Sequence, residues 1–357
     1  MEYKRLGTVD LKSNVGSRVY VSFMLRDLSI RLQKDKVTKF ATFNMVDKDT
    51  VVEARVFGID DAAIENLAEG KVYDAAIDVK AYDKSPSGYS CIVYNMDFSK
   101  IPAEYFADWA DGLDESRKII EDAIGECYDT IYGKIAYHII VNNWDKISKW
   151  SAAARHHHTQ LGGLLTHTAE VVQVCDVLSD VFTEKYGDSI INRPLLLCSA
   201  ILHDVGKTTE YDVDTLSGKT EMSKHSVLAT HIMDDLTLVD KAASELGFGN
   251  RYITDENGNI LDEKRADILA EETEALELLK HCLAAHHGKL EWGSPIKASV
   301  PEAEILFFAD EISAIMYKYN REMKKLEPGS FVSLWESGST KNIYRDTSKV
   351  DESDTEE

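Results

Sequence analysis

The sequence has few cysteines and no long apolar run, and these two absences exclude several classes of protein. Its five cysteines are scattered among 357 residues without a C-x-x-C pair, so we expect neither a disulfide framework nor a cysteine zinc site. No run of about 18 apolar residues predicts a membrane span. The N-terminal residues MEYKRLGTVD lack the apolar segment of a signal peptide. A reducing cytoplasm is therefore the expected location.

The chain is also poor in basic residues, with 40 Lys and Arg against 62 Asp and Glu and a formal net charge of −22. That balance at first argues against nucleic acid as a partner. Residues 1–60, however, contain 11 Lys and Arg against 8 Asp and Glu, which is a local charge of +3. A basic N-terminal surface on an acidic protein can still bind a polyanion.

The first hundred residues have the pattern of a small β-barrel. Alternating polar and apolar residues, with many β-branched and aromatic side chains, predict strands over 19–25, 39–46, 51–57, 72–81 and 89–96, with a helix over 60–67. Three strands, a helix and two strands is the order of the OB-fold, a five-stranded Greek-key barrel, although other small barrels share it. We assign residues 1–105 to this domain.

Helical periodicity dominates after residue 115, over segments 117–144, 161–182, 193–202, 226–236, 271–285 and 301–325. Residues 250–264 interrupt it and predict an exposed excursion or short hairpin. We therefore expect a multidomain protein in which an all-β barrel is followed by an all-α helical domain over 106–330. Residues 331–357 predict an acidic, disordered tail by their composition.

Histidines and carboxylates lie inside the apolar helical segments. His203 and Asp204 end an apolar run, His167 lies in a second apolar segment and Asp310 in a third. A charged group on an apolar face is costly unless it is paired or binds a metal. One His-Asp pair is more often a satisfied core pair than a ligand set, but the four residues together predict a metal site. Imidazole and carboxylate suit Mn, Fe, Zn or Co.

Further residues extend this predicted site. His231 and His286 would bind a second ion, while His287 is either a ligand or a substrate contact. Lys207, one turn beyond the His-Asp pair, either neutralises a phosphate oxygen or is simply solvated. In the run His156-His157-His158, one or two side chains can reach a substrate phosphate, and we name His157 and His158. Such a site can generate hydroxide from water and neutralise a phosphate.

The barrel offers candidates for binding a strand, because OB-folds combine a basic groove with aromatic stacking. We name Arg18, Arg26, Lys39 and Phe43 as contacts. Further basic residues lie in the loop that contains Lys34 and Lys36. The competing expectation is that alternate strand residues fill the barrel core. Only one or two aromatic side chains would then be exposed among Tyr20, Phe23, Phe40, Phe43 and Phe57.

Three motifs carry a resemblance to a known family: ARHHHTQLGGLLTHT at 154–168, ILHDVGK at 201–207 and AHHGKLEWGSP at 285–295. With PEAEI at 301–305, before Asp310, they resemble the HD-domain superfamily, and more narrowly the YhaM-type 3′-to-5′ exoribonucleases. That family joins an N-terminal OB-fold to a C-terminal HD domain. The resemblance covers most of residues 15–325, and its HD motifs are more specific than its barrel.

The resemblance implies metal-dependent phosphodiester hydrolysis, usually with Mn²⁺, although Fe, Co, Zn or Mg stay open. It implies His167, His203, Asp204 and Asp310 as core ligands and His231 and His286 as ligands of a second ion. His203, Asp204 and Lys207 are the candidate catalytic residues.

Our leading hypothesis is a cytoplasmic nuclease that trims single-stranded RNA, or also single-stranded DNA, from the 3′ end. The alternatives are an HD phosphohydrolase of nucleotides or cyclic dinucleotides, and a non-catalytic single-strand-binding protein. The expected partner is a single strand and not a membrane, and a homo-oligomer stays open.

Overall fold

The computed structural model describes residues 3–33, 37–48, 50–85, 87–154, 157–215, 218–255, 257–336 and 339–348. Lys34, Lys36, His156 and the acidic segment 349–357, all named in the sequence-based predictions, lie outside the described residues. The chain divides into two compact units. One comprises Met1–Ala110 and Val213–Thr220, and the other comprises Asp111–Asp212 and Glu221–Glu357.

The first unit contains the predicted barrel. Its elements are β1 (Lys4–Arg5), β2 (Arg18–Leu32), β3 (Lys39–Asp47), β4 (Thr50–Ile59), α1 (Asp61–Glu65), β5 (Val72–Ala81) and β6 (Tyr89–Phe98). The sheet order is β1-β2-β3-β4-β6-β5, and an additional β2–β5 pairing closes it. The β4–β6 pair is parallel, and the other pairs among the five long strands are antiparallel. This closed five-stranded arrangement confirms the predicted OB-type barrel.

The strand register decides which side chains fill the barrel. Along β3, Ala41, Phe43 and Met45 are buried, while the alternate residues Phe40 and Thr42 are only partly buried. Successive side chains of a strand point to opposite faces of the sheet. Phe43 is 2% exposed and its ring lies 6.0 Å from that of Phe23. The prediction that Phe43 contacts a substrate is therefore wrong, because its side chain belongs to the core.

The second unit is helical around one apolar core. Its helices are α2 (Leu113–Cys127), α3 (Ile131–Ile147), α4 (Gly163–Tyr186), α5 (Arg193–Leu202), α6 (Lys207–Glu210), α7 (His231–Leu246), α8 (Ala266–Ala285) and α9 (Pro301–Met323). In α5, every residue from 195 to 202 is buried. A helix that is apolar on all sides belongs inside a fold, and α5 contacts α2, α3, α4, α8 and α9.

The predicted helical segment 117–144 is two helices. Thr130 is the N-cap of α3, because its hydroxyl accepts a hydrogen bond from Gly133 N at 3.0 Å. Threonine at this position satisfies an N–H group that the first turn of a helix leaves free. A Cβ on Gly133 would lie 2.0 Å from Cys127 O, so glycine permits the tight packing of the two helix ends. The apolar periodicity continues across the break and conceals it.

The described residues also form three two-stranded pairs, which are β7 (Tyr211–Asp214) with β8 (Lys219–Met222), β9 (Tyr252–Thr254) with β10 (Ile260–Glu263), and β11 (Phe331–Glu336) with β12 (Ser339–Tyr344). Within the first of these pairs, Val213–Thr220 is assigned to the first unit. The β9–β10 pair confirms a hairpin within 250–264. The β11–β12 pair corrects the predicted tail, because Phe331–Glu336 and Ser339–Tyr344 are paired strands and Ile343 is fully buried. In the sequence, two β-prone runs on either side of Ser337-Gly338 indicate a strand pair, although the acidic composition of the segment obscures it.

Among the described residues, no helix has both the length and the apolar character that crossing a bilayer requires.

Candidate metal centre

Two histidines lie immediately after the last residue of a buried helix. His203 follows α5 and His286 follows α8. The last carbonyls of a helix have no partner within it, and each histidine satisfies one of them through Nδ1. The distances are 2.8 Å from His203 Nδ1 to Ala200 O and 2.7 Å from His286 Nδ1 to Leu283 O. Because a carbonyl only accepts, Nδ1 carries the proton, and Nε2 is left to face the cluster.

His231 is oriented in the same way by a carboxylate. It is the first residue of α7, and its Nδ1 donates to Glu210 Oε2 at 2.5 Å. The carboxylate only accepts, so Nε2 is again the atom left to face the cluster. Burial alone would raise the pKa of Glu210, but the hydrogen bond from His231 lowers it below its ordinary value.

His167, on α4, has a two-step connection to a carboxylate. Ser313 Oγ donates to Glu170 Oε2 at 2.6 Å and lies 2.9 Å from His167 Nδ1. A serine hydroxyl has one proton. Since Glu170 accepts that proton, Ser313 Oγ must accept from His167 Nδ1. The Nε2 atom of His167 is therefore also directed away from its hydrogen-bond partner and into the cluster.

Asp204 lies between two pairs of histidines. Its Oδ2 is 3.3 Å from His167 Nε2 and 3.3 Å from His203 Nε2. Its Oδ1 is 3.6 Å from His231 Nε2 and 4.0 Å from His286 Nε2. Asp310 Oδ1 lies 3.1 Å from His167 Nε2 and extends the first pair only. The structure thus brings together all six predicted metal ligands.

The chemistry of this cluster fits divalent cations. The Nε2 atoms of His231 and His286 are buried and have no hydrogen-bond partner among the described residues, and a buried unsatisfied polar group costs about 1–3 kcal/mol. His167 Nε2 and His203 Nε2 lie 3.3 Å apart. Ligand atoms about 2.0–2.2 Å from an ion lie roughly 3 Å from one another. The triads His167-His203-Asp204 and His231-His286-His287 each hold three potential ligand atoms within 4.8 Å.

The electrostatics of the cluster favour added positive charge. Burial raises the pKa of Asp204, but Lys207 and His203 hold it well below its ordinary range. Burial lowers the pKa of His167, yet hydrogen bonds to Asp204 and Asp310 raise it to about 9. Lys207 Nζ lies 2.6 Å from Asp204 Oδ2, so the predicted phosphate contact is at the site and paired with a ligand carboxylate.

The predicted substrate histidines separate into different environments. His157 is half-buried, and its ring lies 5.0 Å from that of His167. His287 is also half-buried, beside His231 and His286, and its Nδ1 donates to Trp292 O at 2.9 Å. His158 is only 2% exposed, with its ring 4.3 Å from that of Tyr317 and its Nε2 3.2 Å from Glu170 Oε2. The substrate contact by His158 stays a prediction, and the structure places its side chain inside the fold, close to His157 and His167.

Three polar residues at the cluster were missed in the sequence. Glu170, Glu210 and Ser313 each follow a predicted site residue by three positions, after His167, Lys207 and Asp310 respectively. Residues three apart lie on the same face of a helix. A search at this spacing would have found all three.

An exposed aromatic surface on the helical unit was also missed as a site. Trp292 is 47% exposed, and the ammonium of Lys289 lies 3.6 Å from the centre of its ring. The backbone carbonyl of Trp292 is held by His287, as described above. Phe307 lies 6.2 Å from Trp292, centre to centre, and Phe308 is largely exposed. An aromatic and basic surface therefore continues from a residue of the cluster.

On the barrel, a second aromatic and basic surface lies on β2, β3 and β4. We call it the barrel face, and it comprises Arg31, Phe40, Thr42, Asn44, Arg55 and Phe57. Two acidic residues, Asp27 and Glu53, also line it, and Glu53 pairs with Arg55 at 2.6 Å. Phe40 and Phe57 are cross-strand partners whose rings stack at 5.7 Å, and Phe57 is 48% exposed. Two predicted basic contacts are instead ion-paired: Arg18 with Asp78 at 2.7 Å and Lys39 with Asp61 at 2.5 Å. Arg26 is partly buried, and within the part of the chain that the structure describes its Nε has no hydrogen-bond partner.

Comparison with known proteins agrees with this organisation. Residues 164–315 match the family model described as "HD domain". Proteins named 3′-5′ exoribonuclease YhaM are similar to the chain. The one from Bacillus velezensis is 28% identical over 60% of this chain and 58% of its own length. The one from Bacillus subtilis is 28% identical over 56% and 53%, so these matches span little more than half of the Bacillus proteins.

The YhaM protein of Listeria welshimeri matches further, at 26% identity over 90% of this chain and 93% of its own length. A solved aspartyl tRNA synthetase from Entamoeba histolytica aligns with 52% of the chain and 38% of its own at 8% identity, but its TM-score of 0.23 carries no weight. Residues 164–315 therefore match the HD-domain family, and the chain is similar to a YhaM protein over 90% of its length.

Proposed function

We propose that this protein is a metal-dependent 3′-to-5′ exonuclease that hydrolyses phosphodiester bonds of single-stranded RNA. The observation that carries the proposal is the buried cluster, in which four histidine Nε2 atoms are directed at two carboxylates. The names of the YhaM relatives support the choice of reaction. In this proposal the cluster performs hydrolysis, and the aromatic surfaces hold the strand.

His167, His203, Asp204 and Asp310 would hold one cation, and His231 and His286 would hold a second, with Asp204 shared. When bound, such cations lower the pKa of water and neutralise charge on a phosphate. The nitrogen and oxygen ligands suit Mn, Fe, Co or Zn, and we propose Mn²⁺. His287 completes the second set or contacts the substrate, and its pKa is lowered by burial, which keeps its ring neutral.

The chain's own residues have distinct roles in this reaction. Lys207 keeps its charge, because Asp204 and Asp310 outweigh its burial and raise its pKa. Its ammonium, beside Asp204, would stabilise negative charge that grows on the phosphate oxygens. His157 is half-buried beside His167, and burial lowers its pKa to about 2. A neutral ring there can donate a hydrogen bond to a phosphate without adding charge.

The aromatic surfaces favour a strand over a mononucleotide. Stacking of bases on aromatic side chains contributes about 1–3 kcal/mol per base and tolerates any sequence. Phe40 and Phe57 with Arg31 and Arg55 offer this chemistry on the barrel, and Trp292 with Lys289 offers it beside His287. A phosphohydrolase of single nucleotides has no need for the barrel face, so that alternative is disfavoured.

A cytoplasmic location is part of the proposal. All five cysteines are free and buried. Unpaired thiols are typical of a reducing compartment.

The test is a direct assay with end-labelled substrates. Single-stranded RNA with a 5′ label is incubated with Mn²⁺, Mg²⁺, Zn²⁺ or chelator, beside single-stranded DNA, circular RNA and a panel of nucleotides. We expect a ladder that shortens from the 3′ end and stops in chelator, with circular RNA intact. Internal fragments would indicate an endonuclease. Hydrolysis of nucleotides alone would indicate the alternative phosphohydrolase, and activity in chelator would refute the metal.

A further inference from the structure

We infer that Glu210 and the Ser313–Glu170 pair are positioning residues, each of which sets the cation affinity of one half of the cluster. The inference rests on the proposed metal function. We call the half around His167 and His203 the first subsite, and the half around His231 and His286 the second subsite. The cation affinity of the second subsite would then depend on Glu210, and that of the first subsite on Ser313 and Glu170.

The two subsites share one design. Each contains one histidine whose Nδ1 donates to a backbone carbonyl, His203 in the first and His286 in the second. Each also contains one histidine backed by a carboxylate. For His231 the contact to Glu210 is direct, at 2.5 Å. For His167 the contact passes through Ser313, at 2.9 Å and then 2.6 Å to Glu170.

The two kinds of backing differ in physical consequence. A carboxylate that accepts from Nδ1 pushes electron density towards Nε2 and fixes the ring, which raises the basicity of the ligand. A backbone carbonyl fixes the ring but is neutral, and no side-chain substitution removes it. The carboxylate-backed histidine is therefore the adjustable ligand of each subsite. Loss of such a partner lowers metal affinity by about 10–100-fold.

The two supporting groups come from separate elements. Glu210 is the last residue of α6, while Glu170 lies on α4 and Ser313 on α9. Their histidines meet at Asp204, through Oδ1 for His231 and through Oδ2 for His167. Glu210 supports a histidine near Asp204 Oδ1, and the Ser313–Glu170 pair supports a histidine near Asp204 Oδ2. The cation affinities of the two subsites should therefore change separately.

The experiment measures binding of Mn²⁺ alone to the full-length metal-free protein by equilibrium dialysis and by the loss of the free-ion EPR signal. We expect two bound ions in the unaltered protein. Glu210→Gln should weaken one of them about 10-fold or more, and Ser313→Ala should weaken the other. Glu272→Gln and Ser179→Ala are matched controls, since both change buried polar residues of the same unit outside the cluster.

Ligand variants identify which subsite responds. His203→Gln should abolish binding at the first subsite and keep the second subsite intact. Adding Glu210→Gln to this variant should then weaken binding of the one remaining ion. His286→Gln should keep only the first subsite intact. In that variant, Glu210→Gln should not change the affinity for the remaining ion, whereas Ser313→Ala should lower it. Circular dichroism of each metal-free variant verifies that it is folded, and Glu210→Asp should recover part of the lost affinity.

The outcomes separate the inference from the proposed function. An unaltered protein that binds no Mn²⁺ would refute the metal centre itself. Two bound ions with unchanged affinities in folded Glu210→Gln and Ser313→Ala proteins would refute the inference alone. Equal weakening of both ions by either variant would also overturn it, because the two affinities would then not be set separately.

Discussion

The barrel and the helical unit differ in the kinds of side chain that their main cores contain. The main cluster of the barrel core consists of apolar side chains, such as Phe23, Phe43 and Ile77, and its aromatic rings pack on one another. The helical core encloses His167, His203, Asp204 and His286 at 0–2% exposure. Apolar burial stabilises a fold without further requirement, whereas buried imidazoles and carboxylates need partners. The position of a function is therefore visible inside one unit and only on the surface of the other.

This difference explains why sequence reasoning succeeded in one unit and failed in part in the other. In the helices, a polar residue within an apolar run is an exception that marks itself. In the strands, aromatic residues occur on both faces, so Phe43 in the core and Phe57 at the surface look alike. Substitutions in each unit can test this contrast.

Removal of the shared carboxylate should have the largest effect. Asp204→Ala takes away the group between both histidine pairs, so nuclease activity should fall to the background of the assay while the fold remains. Gel analysis of labelled RNA measures the activity, and circular dichroism monitors the fold. Undiminished hydrolysis by the folded variant would refute the assignment of Asp204 to a metal centre. Asp235→Asn is a control, because Asp235 is buried nearby but accepts from the backbone of Gly206.

Two phenylalanines of the barrel should give opposite results. Phe43→Ala should lower the free energy of unfolding by about 3–5 kcal/mol, because it leaves a cavity in the core. Phe57→Ala should change it by less than about 0.5 kcal/mol and instead weaken single-strand binding by about 1–3 kcal/mol. Urea unfolding and fluorescence anisotropy with labelled RNA measure the two quantities. Phe98→Ala, another exposed phenylalanine, should change binding little; equal losses of binding would contradict the barrel face.

Binding of the cation should stabilise the helical unit. At a free Mn²⁺ concentration 100 times its Kd, a single site adds about 2.7 kcal/mol to the free energy of unfolding. Thermal unfolding with and without Mn²⁺ should therefore show a higher Tm with the ion, and chelator should reverse it. In Asp204→Ala the increase should be largely lost. An equal increase in both proteins would mean that Mn²⁺ binds elsewhere.

The smallest effect concerns the salt dependence of strand binding. If Arg31 and Arg55 contact phosphates, replacing each with serine should reduce the slope of log affinity against log salt by about 0.7 per lost contact. Anisotropy titrations over a range of salt measure this slope. Arg251→Ser provides the comparison, since Arg251 is an exposed, ion-paired arginine of the helical unit. If the Arg31 and Arg55 variants leave the slope unchanged, these two arginines do not contact the phosphates of the strand.

Particular residues show how far the sequence could be read. The six candidate ligands were predicted individually, and the structure gathers the other five around Asp204. The barrel order was predicted from alternation and turns. The break at Thr130 was not, since the apolar periodicity passes through it and a tight Gly133 contact determines it. The β11–β12 pair was not predicted, because the acidic composition of this segment obscures its two β-prone runs.

The sequence by itself determined the kinds of chemistry in this protein, because residue type fixes which groups can bind a cation and which can form a core. It also determined the elements, through periodicity and turn residues. The tertiary structure alone decided which nitrogen of each histidine faces the cluster, since Ala200 O, Leu283 O, Glu210 and Ser313 come within hydrogen-bond distance only after folding. It likewise decided that Phe57 is exposed and Phe43 enclosed, because strand register, and not residue type, assigns each side chain to a face.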